Sequence, residues 1–199
     1  PPRSTPKPSS AASDVYKRQD LTKESAGITR MFDDQSFSQS CLLATRLVQS
    51  GVKFVTLNLG GWDTHNDNWN RLKDRNLPAL DAGLSGLFSS LEEKGLLEST
   101  AVFVTGEFGR TPKINAKAGR DHWSRGFTVA IGGGGVEGGR VVGKSNKWAE
   151  EPAENPYGPE DLCATVYHLL GINPRSEMHT PDGRPIMLTN NGRLIKELF

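Results

Sequence analysis

A carboxylate and an imidazole stand two residues apart in the segment Gly60-Gly-Trp-Asp-Thr-His65. Alternate residues of an extended chain project to the same side, so Asp63 and His65 could bind one divalent ion together. An aspartate two residues from a histidine is also common at turns and helix caps. The pair therefore indicates a metal site only if other parts of the chain supply further ligands.

Two later segments carry the same kinds of side chain. Glu107 and Arg110 belong to Gly106-Glu-Phe-Gly-Arg110, and Arg120, Asp121 and His122 belong to Gly119-Arg-Asp-His-Trp123. Taken alone, the glutamate could cap a helix, and Asp121 could bind Arg120 or orient an imidazole. Together the three segments supply three carboxylates and two imidazoles, a set that suits Zn²⁺ and similar ions. The predicted metal ligands are Asp63, His65, Glu107, Asp121 and His122.

The elements that must position these side chains follow from hydrophobic periodicity. Helical spacing of apolar residues precedes Gly51, covers residues 77–94 and follows Gly158. Runs of β-branched and aromatic residues predict strands at residues 52–59, 100–105 and 127–131. This order predicts an α/β fold with a mainly parallel central sheet flanked by helices. The three polar segments would then lie at the sheet edge where such folds place their functional crevice.

Composition limits the classes of protein. With 199 residues and 35% hydrophobic content, the chain can form one core of ordinary size. Its 24 basic and 23 acidic side chains exclude the concentrated positive field of a nucleic-acid or membrane-surface protein. No apolar run approaches the ~20 residues that span a bilayer. Cys41 and Cys163 lie in apolar helical patterns, which predicts core residues and not a disulfide or a zinc site.

The start of the chain differs in composition from the rest. Residues 1–13 are rich in proline, serine and alanine, which predicts disorder. Residues 10–19 resemble translated sequencing adapter, so we interpret residues 1–19 as a disordered, artefactual tail. Residues 20–199 are then expected to form the C-terminal part of a larger domain. The chain shows no export signal.

The chain resembles a bacterial family known as domain of unknown function 1501, whose members are often labelled sulfatase-like. The resemblance rests on the three polar segments above and on the run Gly132-Gly-Gly-Gly135, and it extends from about Phe37 to the end. That family is similar to the alkaline-phosphatase superfamily, which carries two metal ions at the carboxyl edge of a helix-flanked central sheet. The resemblance thus implies an alkaline-phosphatase-like fold that is incomplete at its N-terminus.

The resemblance also implies roles for the candidate residues. Asp63, His65 and His122 match the ligands of one metal position. Glu107 stands where the superfamily has an aspartate ligand of the second metal. Phe108 stands where a histidine ligand would follow, so the second position departs from the superfamily pattern.

These matches imply a metal-dependent hydrolase acting on sulfate or phosphate esters of small molecules or carbohydrates. The metal would be zinc or another ion with nitrogen and oxygen ligands, and Arg110 or Arg120 would bind the anionic group. The full-length parent is expected to be periplasmic or secreted, and the fragment itself to be inactive. Two alternatives stay open: a non-catalytic, metal-stabilised binding or structural protein, and a carbohydrate-binding module that uses Trp62, Trp69 and Trp123.

Overall fold

The computed structural model describes residues 15–199, which divide into two compact units. Of these residues, the first unit comprises 15–100 together with Ile114–Asp121, and the second comprises Ala101–Lys113 and His122–Phe199. The α-helices are α1 (Ala26–Thr29), α2 (Ser36–Gln49), α3 (Asn68–Arg71), α4 (Leu77–Glu93) and α5 (Pro159–Leu169). The strands are β1 (Val102–Val104), β2 (Gly109–Arg110), β3 (His122–Trp123), β4 (Ala130–Gly132), β5 (Lys144–Ser145), β6 (Pro152–Glu154), β7 (Glu177–His179) and β8 (Pro185–Met187).

The first unit is built on the packing of α2 against α4. Leu42 of α2 and Leu91 of α4 are fully buried. Between the two helices, the buried hydroxyls of Thr45 and Ser90 form a 2.9 Å hydrogen bond. Gly95 adopts a left-handed φ of 64° directly after the end of α4, as a helix C-terminus favours. Apolar periodicity predicts both helices, and both are confirmed.

Gly86 allows α4 to approach the segment before α2. A β-carbon at this position would lie 2.6 Å from the Met31 carbonyl oxygen and 2.6 Å from the Phe32 ring. Gly86→Ala should therefore destabilise the protein by about 1–3 kcal/mol, although alanine is the better helix former. Gly27→Ala in α1, where a β-carbon meets no atom within 4 Å, is the matched control and should be neutral or stabilising. Equal urea midpoints for the two variants would contradict this packing.

The predicted strand at residues 52–59 is not paired with any strand of the described chain. Its exposure alternates, because Val55, Leu57 and Leu59 are half-buried while Phe54 and Thr56 are exposed. The prediction of a sheet strand is wrong, because strand pairing depends on a partner that the local sequence does not specify.

The second unit contains four pairs of short antiparallel strands. These are β1 with β4, β2 with β3, β5 with β6, and β7 with β8. In the first pair, Phe103 lies opposite Ile131. Each sheet has only two strands, so the backbone hydrogen bonds of each sheet join a single pair of strands.

The predicted mainly parallel central sheet is therefore wrong, and so is the alkaline-phosphatase-like architecture that depended on it. A parallel pair needs a crossover connection, usually a helix. Between β1 and β4 the chain instead contains the β2–β3 pair, and β1 pairs with β4 antiparallel. The two predicted strands of this region are also shorter than expected, at Val102–Val104 and Ala130–Gly132.

Helix α5 is fixed to the C-terminal segment through Asp161. Its carboxylate accepts hydrogen bonds from the Gly158 amide at 3.0 Å, the Arg193 amide at 2.6 Å and the Arg193 guanidinium at 3.2 Å. Burial raises the pKa of Asp161, but the hydrogen bonds from Arg193 and Gly158 outweigh it and hold the pKa below its ordinary value. Cys163 of the same helix is exposed, so its prediction as a core residue is wrong.

Cys41 is buried in α2 as predicted, and burial raises the pKa of its thiol to about 11. The thiol therefore stays protonated near neutral pH. Such a cysteine behaves as a small apolar core residue and not as a nucleophile.

Most of the predicted disordered tail, residues 1–14, lies outside the described residues. Residues 15–18 form a helical turn, and the Arg18 carbonyl accepts a 2.8 Å hydrogen bond from the Arg46 guanidinium. Within residues 15–199, every helix is too short or too polar to cross a membrane.

Candidate metal centre

Two loops of the first unit run side by side at the candidate site. The Arg120 amide donates to the Thr64 carbonyl at 3.1 Å, and the Asn68 amide donates to the Ala118 carbonyl at 3.0 Å. A β-carbon at Gly119 would overlap the backbone of His65, so only glycine permits this approach. The sequence predicts that Arg120 and His65 belong to one site, and these backbone contacts bring their loops together.

Solvent exposure alternates along residues 63–65 and distinguishes the two candidate ligands from Thr64. Asp63 is exposed and His65 half-buried, whereas Thr64 is only 1% exposed. The Thr64 hydroxyl donates to the side-chain oxygen of Asn68, which begins α3. The hydroxyl of Thr64 is therefore occupied in the interior of the unit.

The imidazole of His65 lies between two carboxylates. Its Nδ1 atom is 2.6 Å from Oδ1 of Asp121, and its Nε2 atom is 3.0 Å from Oδ1 of Asp63. An ionised carboxylate can only accept a hydrogen bond, so the close Asp121 contact requires Nδ1–H to donate. The Nε2 atom of a neutral ring then presents its lone pair toward Asp63. A proton or a metal ion at Nε2 would make this second contact favourable.

Asp121 therefore occupies the place of a carboxylate that orients a ligating histidine. Such a partner fixes the ring and its tautomer and raises the basicity of the ligating nitrogen. The sequence predicted Asp121 as a metal ligand, with orientation of an imidazole as the alternative. The structure places its carboxylate on His65, which is a different histidine from its chain neighbour His122.

Asn115 is a site residue that the sequence analysis missed. Its amide donates to the His65 carbonyl at 3.0 Å and to the two carboxylate oxygens of Asp121 at 3.2 and 3.3 Å. The spacing Asn115-Ala-Lys-Ala-Gly119 is typical of a turn closed by an asparagine side chain, and that signal could have drawn attention to it.

The remaining predicted site residues belong to the second unit. Glu107 is exposed in the bend between β1 and β2. Arg110 of β2 lies opposite His122 of β3 in the antiparallel register. The Phe108 ring packs on the His122 ring with 4.3 Å between centroids, and the Arg110 guanidinium lies 5.7 Å from the same phenyl ring. Phe108 thus packs against the predicted ligand His122.

The tryptophans that could form a carbohydrate surface have different environments. Trp69 is exposed and Trp62 is half-buried in the first unit. In the second unit, the indole N–H of Trp123 donates to the Glu150 carbonyl at 2.6 Å. Trp123 therefore has a structural partner of its own, as is usual for a packed indole.

Asp63 and His65 are candidate metal ligands within the first unit, and the ion they would bind is not identified. Among the described residues, Glu107 and Asp121 do not belong to the candidate group of ligands. An imidazole and a carboxylate are ligands that suit Zn²⁺ and related ions. The donor set present therefore fits the predicted cofactor.

Residues 4–199 match the family described as protein of unknown function (DUF1501). The chain therefore belongs to this family, as its sequence motifs predicted. The match starts before Phe37 and includes most of the stretch interpreted as a tail. Searches of curated proteins and of solved structures found no match to the chain.

Proposed function

We propose that this chain carries the metal centre of a sulfatase-like hydrolase that acts on sulfate or phosphate esters. The observation that carries the proposal is the position of His65 between Asp121 and Asp63, at 2.6 and 3.0 Å. A histidine that donates one ring N–H to a carboxylate and binds the ion through its other nitrogen is a common arrangement around zinc. In this proposal Asp63 and His65 hold the ion, with His122 as the third ligand that the family resemblance implies.

The residues around the ion would have separate tasks in ester hydrolysis. A bound divalent ion polarises the ester oxygen and stabilises the charge that develops on the transferred group. Asp121 holds the His65 ring in place, and Arg120, fixed by its backbone to Thr64, would bind the anionic group. We assign the same task to Arg110. A periplasmic or secreted location of the full-length protein belongs to the same proposal.

Binding of the product anion tests this function without requiring turnover. Zinc-loaded protein should bind inorganic sulfate or phosphate, and binding should disappear on zinc removal and in His65→Ala. Isothermal titration with and without zinc measures this directly. Anion binding that is the same with and without zinc would contradict the proposal. Ester hydrolysis through a covalent intermediate needs an activated nucleophile beside the ion. Thr64 carries the hydroxyl between the two candidate ligands, but it is buried and its hydroxyl is engaged by Asn68. We therefore expect negligible turnover of an aryl sulfate and an aryl phosphate by the 199-residue chain.

A second candidate is a metal-stabilised binding or structural protein that does not catalyse hydrolysis. Packing of Phe108 on His122 favours it, because an apolar ring stands at the position of a second-metal ligand. For this candidate, zinc should raise the melting temperature while sulfate and phosphate fail to bind. The titration above therefore separates the two functions.

A further inference from the structure

Asn115 connects three parts of the first unit through one short side chain. Its amide nitrogen contacts the His65 carbonyl and both carboxylate oxygens of Asp121. Its side-chain oxygen accepts hydrogen bonds from the amides of Lys117 and Gly119, both at 2.9 Å. The same side chain therefore closes the loop before Asp121 and holds the carboxylate at the end of that loop.

We propose that Asn115 is a positioning residue for the metal centre and acts through Asp121. Its amide aligns the Asp121 carboxylate with Nδ1 of His65, and that alignment directs Nε2 toward Asp63. The inference rests on the proposed metal centre for its functional meaning. The chain of hydrogen bonds from Asn115 through Asp121 to His65 is observed directly and does not depend on the proposed metal centre.

The chemistry of the contacts explains why an asparagine occupies this position. The side chain must donate to a carboxylate and a carbonyl on one side and accept from two backbone amides on the other. A side-chain amide suits both tasks, because it carries two N–H donors on one atom and a carbonyl oxygen with two lone pairs on another. Aspartate would keep the acceptor for the loop but place a second negative charge beside Asp121, and alanine would lose both functions.

A double-mutant cycle tests whether Asn115 acts through Asp121. The zinc affinity of the full chain is measured by chelator competition for wild type, Asn115→Ala, Asp121→Ala and the double variant. Asn115→Ala should weaken zinc binding about 10-fold, within the range for outer partners of a ligand. In the Asp121→Ala background the same change should have no further effect, because its target is gone. Additive losses would overturn the proposal.

A proton signal provides the readout that is independent of zinc. In wild-type protein without zinc, the Nδ1 proton of His65 in the short bond to Asp121 should give a downfield proton resonance. Asn115→Ala should shift or broaden it, and so should Asn115→Asp, which keeps the acceptor for the loop. The control Asn70→Ala removes an exposed amide that donates to Asp67 at 2.7 Å and should leave the signal unchanged.

The two readouts distinguish failure of the inference from failure of the proposed function. An unchanged His65 signal in Asn115→Ala would overturn the positioning role, whatever the zinc affinity. Retention of the signal in Asn115→Asp would assign the effect to loop closure and would also overturn it. Absence of zinc binding in the wild type, together with loss of the signal in both Asn115 variants, would support the positioning role and contradict the metal-centre proposal.

Discussion

His65→Ala should weaken zinc binding by at least about 100-fold, more than is typical for loss of an outer partner of a ligand. The substitution removes one of the two imidazoles proposed as ligands, and it also removes the ring between Asp63 and Asp121. The two carboxylates would then lose the group that separates and orients them. Chelator competition gives the affinity, and zinc content after dialysis gives the stoichiometry.

The matched control for this prediction is His179→Ala, which removes an exposed imidazole from β7. Zinc affinity should be unchanged in this variant, because His179 is not one of the proposed ligands. Equal zinc affinity in His65→Ala and wild type would remove His65 from the site. An equal loss in both histidine variants would indicate binding at surface histidines in general.

Glu24→Gln should lower the free energy of unfolding by about 3–5 kcal/mol, the range for breaking a buried ion pair. Glu24 binds the Arg46 guanidinium at 2.9 Å and the Lys94 ammonium at 3.1 Å, and the Glu24 and Arg46 side chains are only 7% and 5% exposed. Neutralising the carboxylate leaves two cations near each other in the interior of the first unit. Urea unfolding monitored by circular dichroism measures the change.

An exposed ion pair supplies the control for the Glu24 prediction. Glu154→Gln removes the partner of Lys144, whose contact at 3.2 Å lies between largely exposed side chains. Such pairs contribute little to stability, so this variant should unfold at the wild-type urea concentration. An equal decrease in the free energy of unfolding in both variants would show that the buried Glu24 ion pairs stabilise the protein no more than an exposed ion pair does.

The contribution of the Glu24 carboxylate to the free energy of unfolding should also decrease as the pH falls. Burial raises the pKa of Glu24, but hydrogen bonds from the Ser25 amide, Lys94 and Arg46 outweigh it, so the pKa is lowered overall. A carboxyl group whose pKa is lower in the folded state than in the unfolded state stabilises the folded state at pH values above its unfolded-state pKa, which is about 4.3 for glutamate. The difference in free energy of unfolding between wild type and Glu24→Gln should therefore have its largest value above about pH 5. It should shrink as the pH falls. A difference that grows in acid would contradict this assignment.

Local sequence patterns predicted the helices and the immediate geometry of the first two ligands. Apolar periodicity is sufficient for α2 and α4 because each helix forms its own backbone hydrogen bonds. Alternation is sufficient to place Asp63 and His65 away from the buried Thr64. These features need no knowledge of a distant partner.

Features that depend on distant segments could not be predicted in the same way. Residues 52–59 have the composition of a strand, but pairing needs a neighbour that composition does not name. The role of Asn115 depends on contacts with His65, fifty residues earlier in the chain. The partnership between Asp121 and His65 likewise arises from two loops that are adjacent only in the fold.

X-ray absorption at the zinc edge of the zinc-loaded chain tests the central claim most directly. One zinc ion per chain is expected, with two imidazole nitrogens from His65 and His122 and carboxylate oxygen from Asp63 in its first coordination sphere. Imidazole rings give characteristic multiple-scattering features, and His65→Ala should reduce them by half. A zinc environment made only of oxygen atoms, or one unchanged in His65→Ala, would contradict the metal centre proposed for this protein.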